Sequence, residues 1–259
     1  MSTIQPVKID VIILSYAKND ILKQMTEQGI KSLINSENQD QIVFNIVVIE
    51  SELSLGPFNY ANTTTVYPNV PFGYHKFMNI GIKLTQNPYL CICNNDLLFH
   101  PNWASEILSA FEENPELSSA SPICSIHHPA IGISLNSGVH IGYEVRKEVA
   151  GWCLFFKRSN LEKTGLLDEK FTFWYADNDY ATTLEKYNIK HALVTTSIVD
   201  HLESKTLKTF ELQEQMKMTT RERFYYEYKW KKRGYFSYLN RLFKAKREIN
   251  RQIRKSRGV

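Results

Sequence analysis

Ile9-Asp10-Val11-Ile12-Ile13-Leu14 is a short apolar run rich in β-branched residues, and it ends in the polar pair Ser15-Tyr16. Such a run is typical of a strand buried on both faces of a parallel sheet. Apolar residues then recur every three to four positions over residues 21–34, which predicts an amphipathic helix. A second apolar run follows, Asn45-Ile46-Val47-Val48-Ile49-Glu50. Strand, helix, strand in this order predicts the opening of a doubly wound α/β sheet.

The alternation of apolar runs continues to about residue 200. It predicts a helix after Gly73, a strand over Tyr89–Cys93, a helix from about Asn102, a strand over Trp152–Phe156, a helix with a capping box at Ser159–Glu162, and a strand over Ala192–Val199. Cys91 and Cys93 share one face of a strand and have no CxxC spacing, so we interpret them as core residues. Residues 125–147 lack a clear period, which indicates a functional loop or a small subsidiary hairpin.

Composition excludes several classes of protein. Of the 259 residues, 43% are hydrophobic, enough for one large domain or one domain with an appendage, and too many for a disordered tail. No apolar stretch approaches the roughly 20 residues that span a bilayer. Residues 1–5 lack the charged-then-apolar pattern of a signal peptide, so we expect a cytoplasmic protein.

The formal net charge of +4 is distributed unevenly. Residues 221–259 contain 14 Lys or Arg and 3 Glu, a net charge of +11, whereas residues 1–220 contain 17 basic and 24 acidic side chains. In the basic segment aromatic side chains alternate with Lys and Arg, as in a membrane-surface helix or in a terminal helix that packs on the protein body. We favour packing on the protein body for residues 221–240, and contact with lipid or with an acceptor substrate for residues 241–259.

Polar residues follow the predicted strands at the points where these end. In open α/β sheets ligands bind outside the carboxyl ends of the strands. Asn94-Asn95-Asp96 follows one predicted strand and Asp200-His201 another. Asp96 and His201 offer an oxygen and a nitrogen ligand, a pair suited to Mn²⁺ or Mg²⁺ beside phosphates. The alternative for Asn94-Asn95-Asp96 is a plain turn, in which Asn and Asp are common.

A second acidic cluster lies in Phe173-Trp174-Tyr175-Ala176-Asp177-Asn178-Asp179. A carboxylate beside aromatic surface is partly desolvated and can act as a general base on a hydroxyl. The alternative is that Asp177 or Asp179 caps a helix that follows. We expect Asp179 to take the capping role, which leaves Asp177 for chemistry.

The order and spacing of these motifs resemble a family-2 glycosyltransferase over roughly residues 8–205. The resemblance rests on Ile12-Ile13-Leu14-Ser15-Tyr16, Val47-Val48-Ile49-Glu50-Ser51, Phe72-Gly73-Tyr74 with Asn79-Ile80-Gly81, Cys93-Asn94-Asn95-Asp96-Leu97 with Pro101-Asn102-Trp103, Gly151-Trp152-Cys153-Leu154-Phe155-Phe156-Lys157-Arg158, Gly165-Leu166-Leu167-Asp168-Glu169-Lys170-Phe171, Tyr175-Ala176-Asp177-Asn178-Asp179 and His201. It implies a GT-A fold, an α/β fold with a mixed, mainly parallel sheet flanked by helices. It further implies transfer of a sugar, with inversion, from a nucleoside diphosphate to an acceptor hydroxyl.

The resemblance also implies roles for single residues. Asp96 falls on the acid that meets the donor's metal ion, His201 on a metal or diphosphate contact, and Asp177 on the catalytic base. Ser15, Tyr16 and Glu50 fall on the nucleoside pocket. The departures are Ala176, where an acid often precedes the base, Asn94 in place of the first acid of the DXD motif, and Glu50 where Asp is more usual.

The candidate sites follow from these positions and from neighbouring side chains. The candidate donor contacts are Ser15, Tyr16, Glu50, Lys76, Asn79, Asn94 and Asn95; the acceptor contacts are Trp152, Trp174 and Asp179; the metal ligands are Asp96 and His201. Lys76 follows Gly73 at a predicted helix start, where it would meet a phosphate or simply be solvated. Trp152 and Trp174 would stack on a sugar or pack in the core.

The resemblance divides the chain into a catalytic domain at residues 1–205 and a helical, aromatic and basic extension at residues 206–259. The nucleotide-sugar half would occupy about residues 1–100 and the acceptor half about 101–205. The expected donor is a UDP-, dTDP- or GDP-sugar, and the expected acceptor is a glycan or lipid-linked glycan. The reaction would be hexosyl or deoxyhexosyl transfer in polysaccharide assembly. The basic tail would contact a membrane.

Two other functions compete with this interpretation. A nucleic-acid-binding protein would also interleave Arg with aromatic side chains, but the basic excess is confined to the tail and no nucleic acid is expected. A nucleotidyltransferase would share the sheet and the metal, but no basic, Gly-rich triphosphate loop is found in the sequence.

Overall fold

A computed structural model describes residues 5–202, 212–231 and 233–256. The first half of the chain forms β1 (Val7–Ser15), α1 (Asp20–Asn35), β2 (Ile42–Glu50), β3 (Thr64–Val66), α2 (Tyr74–Lys83), β4 (Tyr89–Asn94), β5 (Leu97–Phe99), α3 (Trp103–Glu113) and β6 (Leu117–Ile123). The second half forms α4 (His127–Ala130), β7 (Val139–Ile141), β8 (Cys153–Lys157), α5 (Asn160–Thr164), α6 (Ala176–Lys186), β9 (Lys190–His201), α7 (Leu212–Trp230) and α8 (Tyr235–Ser256).

The nine strands in the described ranges form one sheet in the order β3-β2-β1-β4-β8-β6-β9-β5, with β7 paired to β9. β3, β2, β1 and β4 are mutually parallel, and β6 and β9 run in the same direction. β5, β7 and β8 run the opposite way. The predicted mixed, mainly parallel sheet is therefore confirmed.

Helices cover both faces of the sheet, which explains why strands such as β1 and β4 are almost continuously apolar. Val11 and Ile13 of β1 point to one face, where they join a core with side chains of α1 and α3. Ile12 points to the other face and joins a core with side chains of α2 and α6. Alternate side chains of a strand point to opposite faces, so Ile9 to Ile13 are all buried and Leu14 is partly buried.

The structure confirms one predicted helix start but contradicts its predicted cap. The helix α5 begins at Asn160, directly after Ser159, but the Ser159 side chain makes no capping hydrogen bond. Ser159 has helical backbone angles, φ −56° and ψ −19°, whereas a capping residue needs an extended conformation. The capping-box prediction is therefore wrong.

The strand β6 was not predicted, because Leu117-Ser118-Ser119-Ala120-Ser121-Pro122-Ile123 lacks an apolar run. Ser119 and Ser121 are nevertheless fully buried, since their hydroxyls find partners inside the protein. Ser119 Oγ lies 2.7 Å from the hydroxyl of Tyr180, and Ser121 Oγ accepts the N–H of Ala150 at 3.0 Å. The irregular stretch at 125–147 contains α4 and β7, and β7 pairs with β9 rather than forming its own hairpin.

The C-terminal extension is helical where it is described, as predicted. α7 and α8 pack against each other, and residues 206–211, at the proposed start of the extension, lie outside the described residues. Among the helices in the described ranges, none is long and apolar enough to cross a membrane.

Replacing Gly81 of α2 with Ala is expected to destabilise the fold, because a Cβ there would lie 2.5 Å from Cγ2 of the fully buried Ile12. Ala gains about 1 kcal/mol over Gly in helix propensity, but overpacking a stiff β-branched neighbour costs about 1–3 kcal/mol. We expect a net loss in the free energy of unfolding, measured by urea denaturation. Gly234→Ala is the matched control, since nothing lies within 4 Å of its added Cβ. Equal stability of the two variants would contradict this packing.

Candidate active site

An open cleft lies at the carboxyl ends of β1 and β4, the edge that the sequence predicts to bind ligands. Its cavity volume is about 1050 Å³. Small-molecule pockets usually occupy about 300–1,000 Å³, so the cleft is large enough for a substrate the size of a nucleotide sugar. The predicted site residues that line it are Ser15, Tyr16, Asn94, Asn95, Asp96, Trp152, Trp174, Asp177 and His201.

Asp96 and His201 are neighbours in the cleft although 105 positions separate them in the sequence. The antiparallel pairing of β5 with β9 places Leu97 opposite His201, and the N–H of Leu202 donates to the carbonyl of Asp96 at 2.9 Å. His201 Nε2 thereby comes within 3.3 Å of Asp96 Oδ1. Trp152 stacks on the His201 ring at 5.2 Å and 4°, which holds the imidazole in this orientation.

These two side chains fit a divalent cation that a diphosphate helps to hold. In the described part of the chain no group of three His, Cys, Asp or Glu could hold a metal, so Asp96 and His201 would be the only ligands of these types from the described residues. His201 Nε2 is buried without a hydrogen-bond partner among the described residues, although it faces Asp96. Mn²⁺ and Mg²⁺ prefer oxygen ligands and accept phosphate oxygens and water beside a carboxylate.

The two asparagines before Asp96 hold the local structure. Asn95 is buried, and its amide donates to the Thr26 hydroxyl of α1 at 2.8 Å. The backbone N–H of Asn94 donates to the carbonyl of Trp152 at 2.9 Å. Both residues line the cleft, but the Asn95 side chain is engaged with α1 and so supports the wall of the cleft.

Asp177 lies in the first turn of α6 and packs directly on the backbone of Gly151. A Cβ added at Gly151 would lie 2.7 Å from Asp177 Cβ and 3.1 Å from Oδ2, so only glycine fits at this position. Asp177 Oδ1 accepts the N–H of Asn178 at 2.8 Å. Burial raises the pKa of the Asp177 carboxyl, and the Asn178 N–H and the positive charge of Arg146 oppose part of the shift. The cleft thus holds a carboxylate with strengthened basicity.

Asp179 points away from the cleft, because residues two apart on a helix differ by about 200° in direction. Its Oδ1 accepts hydrogen bonds from Lys229 Nζ and Trp230 Nε1 of α7, each at 2.7 Å. It does not cap α6 either, since the residue before that helix is Tyr175 and no side chain makes a capping bond there. The capping prediction is wrong, and this placement leaves Asp179 outside the predicted acceptor site.

Trp152 and Trp174 both line the cleft, with their indole nitrogens buried. Neither Nε1 has a hydrogen-bond partner among the described residues. One face of Trp152 is covered by His201, and its edge meets the His127 ring at 5.3 Å and 80°. Leaving a buried donor unpaired costs about 1–3 kcal/mol, and a ligand rich in oxygen atoms would remove that cost.

Glu50 supports the part of the cleft that lies at the ends of β1 and β2. Its carboxylate accepts the N–H groups of Ala17 and Glu52, each at 3.0 Å, and the hydroxyl of Tyr60 at 3.1 Å. Glu50 is buried and does not line the cleft itself. It fixes the loops that follow β1 and β2, where Ser15 and Tyr16 reach the cleft.

Lys76 and Asn79 of α2 lie outside the cleft lining. The amide of Asn79 makes two hydrogen bonds with the backbone of Leu167, at 2.8 and 3.1 Å. Lys76 Nζ lies 3.5 Å from the carbonyl of Pro71. The donor contacts predicted for both residues are therefore not assembled, because α2 turns Asn79 toward the loop before the acidic cluster.

The cleft also contains residues to which the sequence analysis assigned no role. Arg146 lines it with a left-handed backbone, φ 69°, and its carbonyl lies 2.9 Å from His127 Nε2. Tyr74 and Phe72 add aromatic surface. Arg146 lies in the aperiodic stretch at 125–147, where no sequence pattern indicates which side chains face inward.

Helix α7 anchors the loop that carries Trp174 and Asp177. The buried carboxylate of Glu222 accepts the N–H groups of Thr172 and Phe173, each at 3.1 Å, and bonds the Thr172 hydroxyl. Lys229 Nζ donates to Asp168 at 2.8 Å. Packing on the body of the protein, favoured from the sequence for residues 221–240, is confirmed for residues 222–230.

No protein-family model and no curated protein matches this sequence. Solved structures do match its fold. Residues 1–349 of TarS from S. aureus match with a TM-score of 0.55 and 10% identity, covering 74% of this chain and 59% of the TarS chain. GalNAc-T7, solved with UDP, GalNAc and Mn²⁺, matches with a TM-score of 0.58 and 12% identity, covering 76% of this chain and 44% of its own.

The chain thus spans less than two thirds of the length of either neighbour. At these identities the similarity concerns the backbone arrangement alone. This chain has the GT-A glycosyltransferase fold.

Proposed function

We propose that this protein transfers a sugar from a nucleoside-diphosphate sugar to an acceptor hydroxyl, with inversion at the anomeric carbon. One observation carries the proposal. A single cleft of the GT-A fold contains the Asp96–His201 pair and, separately, the basic carboxylate of Asp177. The first pair suits a cation and diphosphate, and the second group suits a hydroxyl that must lose its proton.

The donor would lie along the ends of β1 and β4. Its nucleoside would contact Ser15 and Tyr16, and its diphosphate would reach Asp96 and His201. The neighbour GalNAc-T7 was solved with UDP and Mn²⁺, which favours UDP among the UDP, dTDP and GDP carriers and Mn²⁺ over Mg²⁺. When bound, the cation would offset the negative charge that grows on the leaving diphosphate.

Asp177 would act as the general base. It takes the proton of the acceptor hydroxyl while that oxygen attacks the anomeric carbon from the face opposite the diphosphate. The new carbon–oxygen bond forms as the bond to the diphosphate breaks, so the configuration inverts. The raised pKa makes Asp177 a stronger base than an ordinary, solvated carboxylate.

The acceptor side would be aromatic. Trp152 and Trp174 offer buried N–H donors to sugar hydroxyls, and Tyr74 adds a ring to the same wall. Sugars expose both hydroxyls and apolar C–H faces, and such a surface fits both. We infer a glycan or lipid-linked glycan acceptor, with hexosyl or deoxyhexosyl transfer in glycan or polysaccharide assembly.

Thermal unfolding with nucleotides tests the proposal. Each of UDP, dTDP and GDP, and their hexose derivatives, would be added with Mn²⁺, with Mg²⁺ or with a chelator. At 100 times its dissociation constant a ligand adds about 2.7 kcal/mol, which raises the Tm by about 5 to 10 °C. We expect one nucleotide series to do so, most strongly with Mn²⁺.

Two results would reject the proposal. The first is that no nucleoside diphosphate or nucleotide sugar stabilises the protein under any of the three conditions. The second is that a nucleoside triphosphate is turned over with release of pyrophosphate while nucleotide sugars are inert, since that is the reaction of a nucleotidyltransferase.

A further inference from the structure

Helix α8 presents a stripe of exposed apolar side chains that the proposed chemistry does not use. Phe236, Leu239 and Phe243 are 85%, 41% and 61% exposed. Their spacing of three and four residues places them within about 60° of one another around the helix. Single exposed apolar residues are ordinary, whereas a contiguous stripe indicates a binding surface.

The stripe is distinct from the side of α8 that packs on α7. On that side Tyr238 stacks on Tyr228 at 5.1 Å and 22°, and the Arg241 guanidinium lies 4.0 Å from the centre of the Phe224 ring. Arg241 also bonds Glu227 of α7. These contacts fix the rotation of α8 about its axis, so the stripe faces away from the helix that holds it.

Cationic side chains border the stripe. Lys246 follows Leu239 by seven residues and Arg247 follows Phe243 by four, so one lies on each side of the stripe. Both are exposed, as are Lys244 and Arg251. Residues 233–256 contain eight Lys or Arg and one Glu, a net charge of +7.

We propose that α8 binds the surface of a bilayer that contains anionic lipid. The helix lies in the plane of the interface, with Phe236, Leu239 and Phe243 inserted below the headgroups. The flanking Lys and Arg extend their aliphatic stems over the same apolar layer and place their charges at lipid phosphates. Each such charge adds favourable attraction to the anionic surface.

Charge and shape favour lipid over two other occupants. A second copy would bring two faces of net charge +7 together, which is repulsive. A nucleic acid would satisfy the cations, but the stripe sets an aliphatic Leu239 between two phenyl rings instead of polar groups that reach base edges. Lipid alone satisfies the cations and the apolar stripe together.

Flotation of the full chain with vesicles tests the proposal. The vesicles would be phosphatidylcholine alone, or with phosphatidylglycerol at about one third of the lipid. We expect binding to the anionic vesicles, weakened by salt, and little binding to the neutral ones. Phe236→Ser with Phe243→Ser should lower the partition coefficient at least tenfold.

The matched control is Ile21→Ser with Leu53→Ser, two side chains that are 66% and 61% exposed elsewhere on the surface. This control should float like the parent. Circular dichroism and stabilisation by nucleotide sugar, measured on the same samples, show whether each variant is folded. Lipid binding is measured by flotation, whereas the proposed transferase function is measured by stabilisation with nucleotide sugar. A failure of one can therefore be told from a failure of the other.

Three outcomes would overturn the proposal. One is equal flotation of the Phe236→Ser/Phe243→Ser variant and the parent. Another is equal flotation with neutral and anionic vesicles, or none with either. The third is binding to a single-stranded oligonucleotide, or self-association in sedimentation, that the stripe variant loses while no vesicle binding is found.

Discussion

Asp177→Asn is expected to abolish sugar transfer while leaving donor binding unchanged. The amide has the shape of the carboxylate but cannot accept the acceptor's proton, and loss of a general base lowers kcat by about 10²- to 10⁴-fold. Asp177 is separate from the Asp96–His201 pair, so donor affinity should change little. The measurements are kcat at saturating substrates and the donor Kd by calorimetry with Mn²⁺.

Asp179→Asn provides the matched control, because the same substitution is made two residues along the same helix. Asp179 bonds Lys229 and Trp230 and does not line the cleft. This variant should lose thermal stability and keep kcat within a few fold while it is folded. Equal losses of kcat in the two folded variants, or a large loss of donor binding in Asp177→Asn, would contradict the role of Asp177.

The raised pKa of Asp177 adds a dependence on pH. Transfer should fall as pH falls through the raised pKa, above the ordinary Asp value of 3.8, because the base becomes protonated. The pKa of Asp177 is higher in the folded than in the unfolded state. The ionised carboxylate therefore lowers the free energy of unfolding at pH values above that pKa. At pH 7 Asp177→Asn should therefore unfold at the same temperature as the parent or a higher one, so inactivity with a lower Tm would contradict the shift.

Asp96→Ala is expected to remove the cation-dependent part of donor binding. The donor Kd measured with Mn²⁺ should rise by at least about 10- to 100-fold, since loss of groups at a metal site typically costs that much affinity. With a chelator present, parent and variant should bind the donor equally. His201→Ala should behave in the same way, because His201 Nε2 lies 3.3 Å from Asp96 Oδ1.

Asp200→Asn is the control for this pair. Asp200 adjoins His201 in the sequence, but its carboxylate is engaged by His100 Nε2 at 2.8 Å and by the Ser125 N–H at 2.6 Å. Its substitution should change stability and leave the Mn²⁺ dependence of donor binding intact. If Asp96→Ala retained the full effect of Mn²⁺, the assigned cation position would be wrong.

Much of the parallel half of the sheet follows from local sequence. The runs at 9–14, 45–50 and 89–93 are apolar except at Asp10, Asn45 and Glu50, because both faces of these strands are covered by helices. Their polar ends mark the carboxyl edge, which is why Ser15, Tyr16 and Asp96 could be placed at the cleft. β6 was not predicted, because its buried Ser119 and Ser121 look polar in the sequence. Their hydrogen-bond partners, Tyr180 and Ala150, lie far away in the chain.

Other features depended on contacts between distant parts of the chain. The pairing of β5 with β9 joins Asp96 to His201, and a three-residue strand is too short to show a period. Asp179, a candidate site residue, instead accepts hydrogen bonds from Lys229 and Trp230 and so anchors α7. Arg146 lines the cleft, but it lies in the stretch at 125–147, where apolar residues follow no clear period.

The first apolar run shows which features are set by local sequence and which depend on the whole chain. Ile9 to Leu14 specifies a buried strand, and Ser15 specifies where that strand stops, because burial and hydrogen bonding act on neighbouring residues. Which distant side chains meet beyond Ser15 is a matter of strand order, register and helix rotation. Those are set by the packing of the whole chain, so Asp96, Asp177 and His201 share one cleft while Lys76, Asn79 and Asp179 do not.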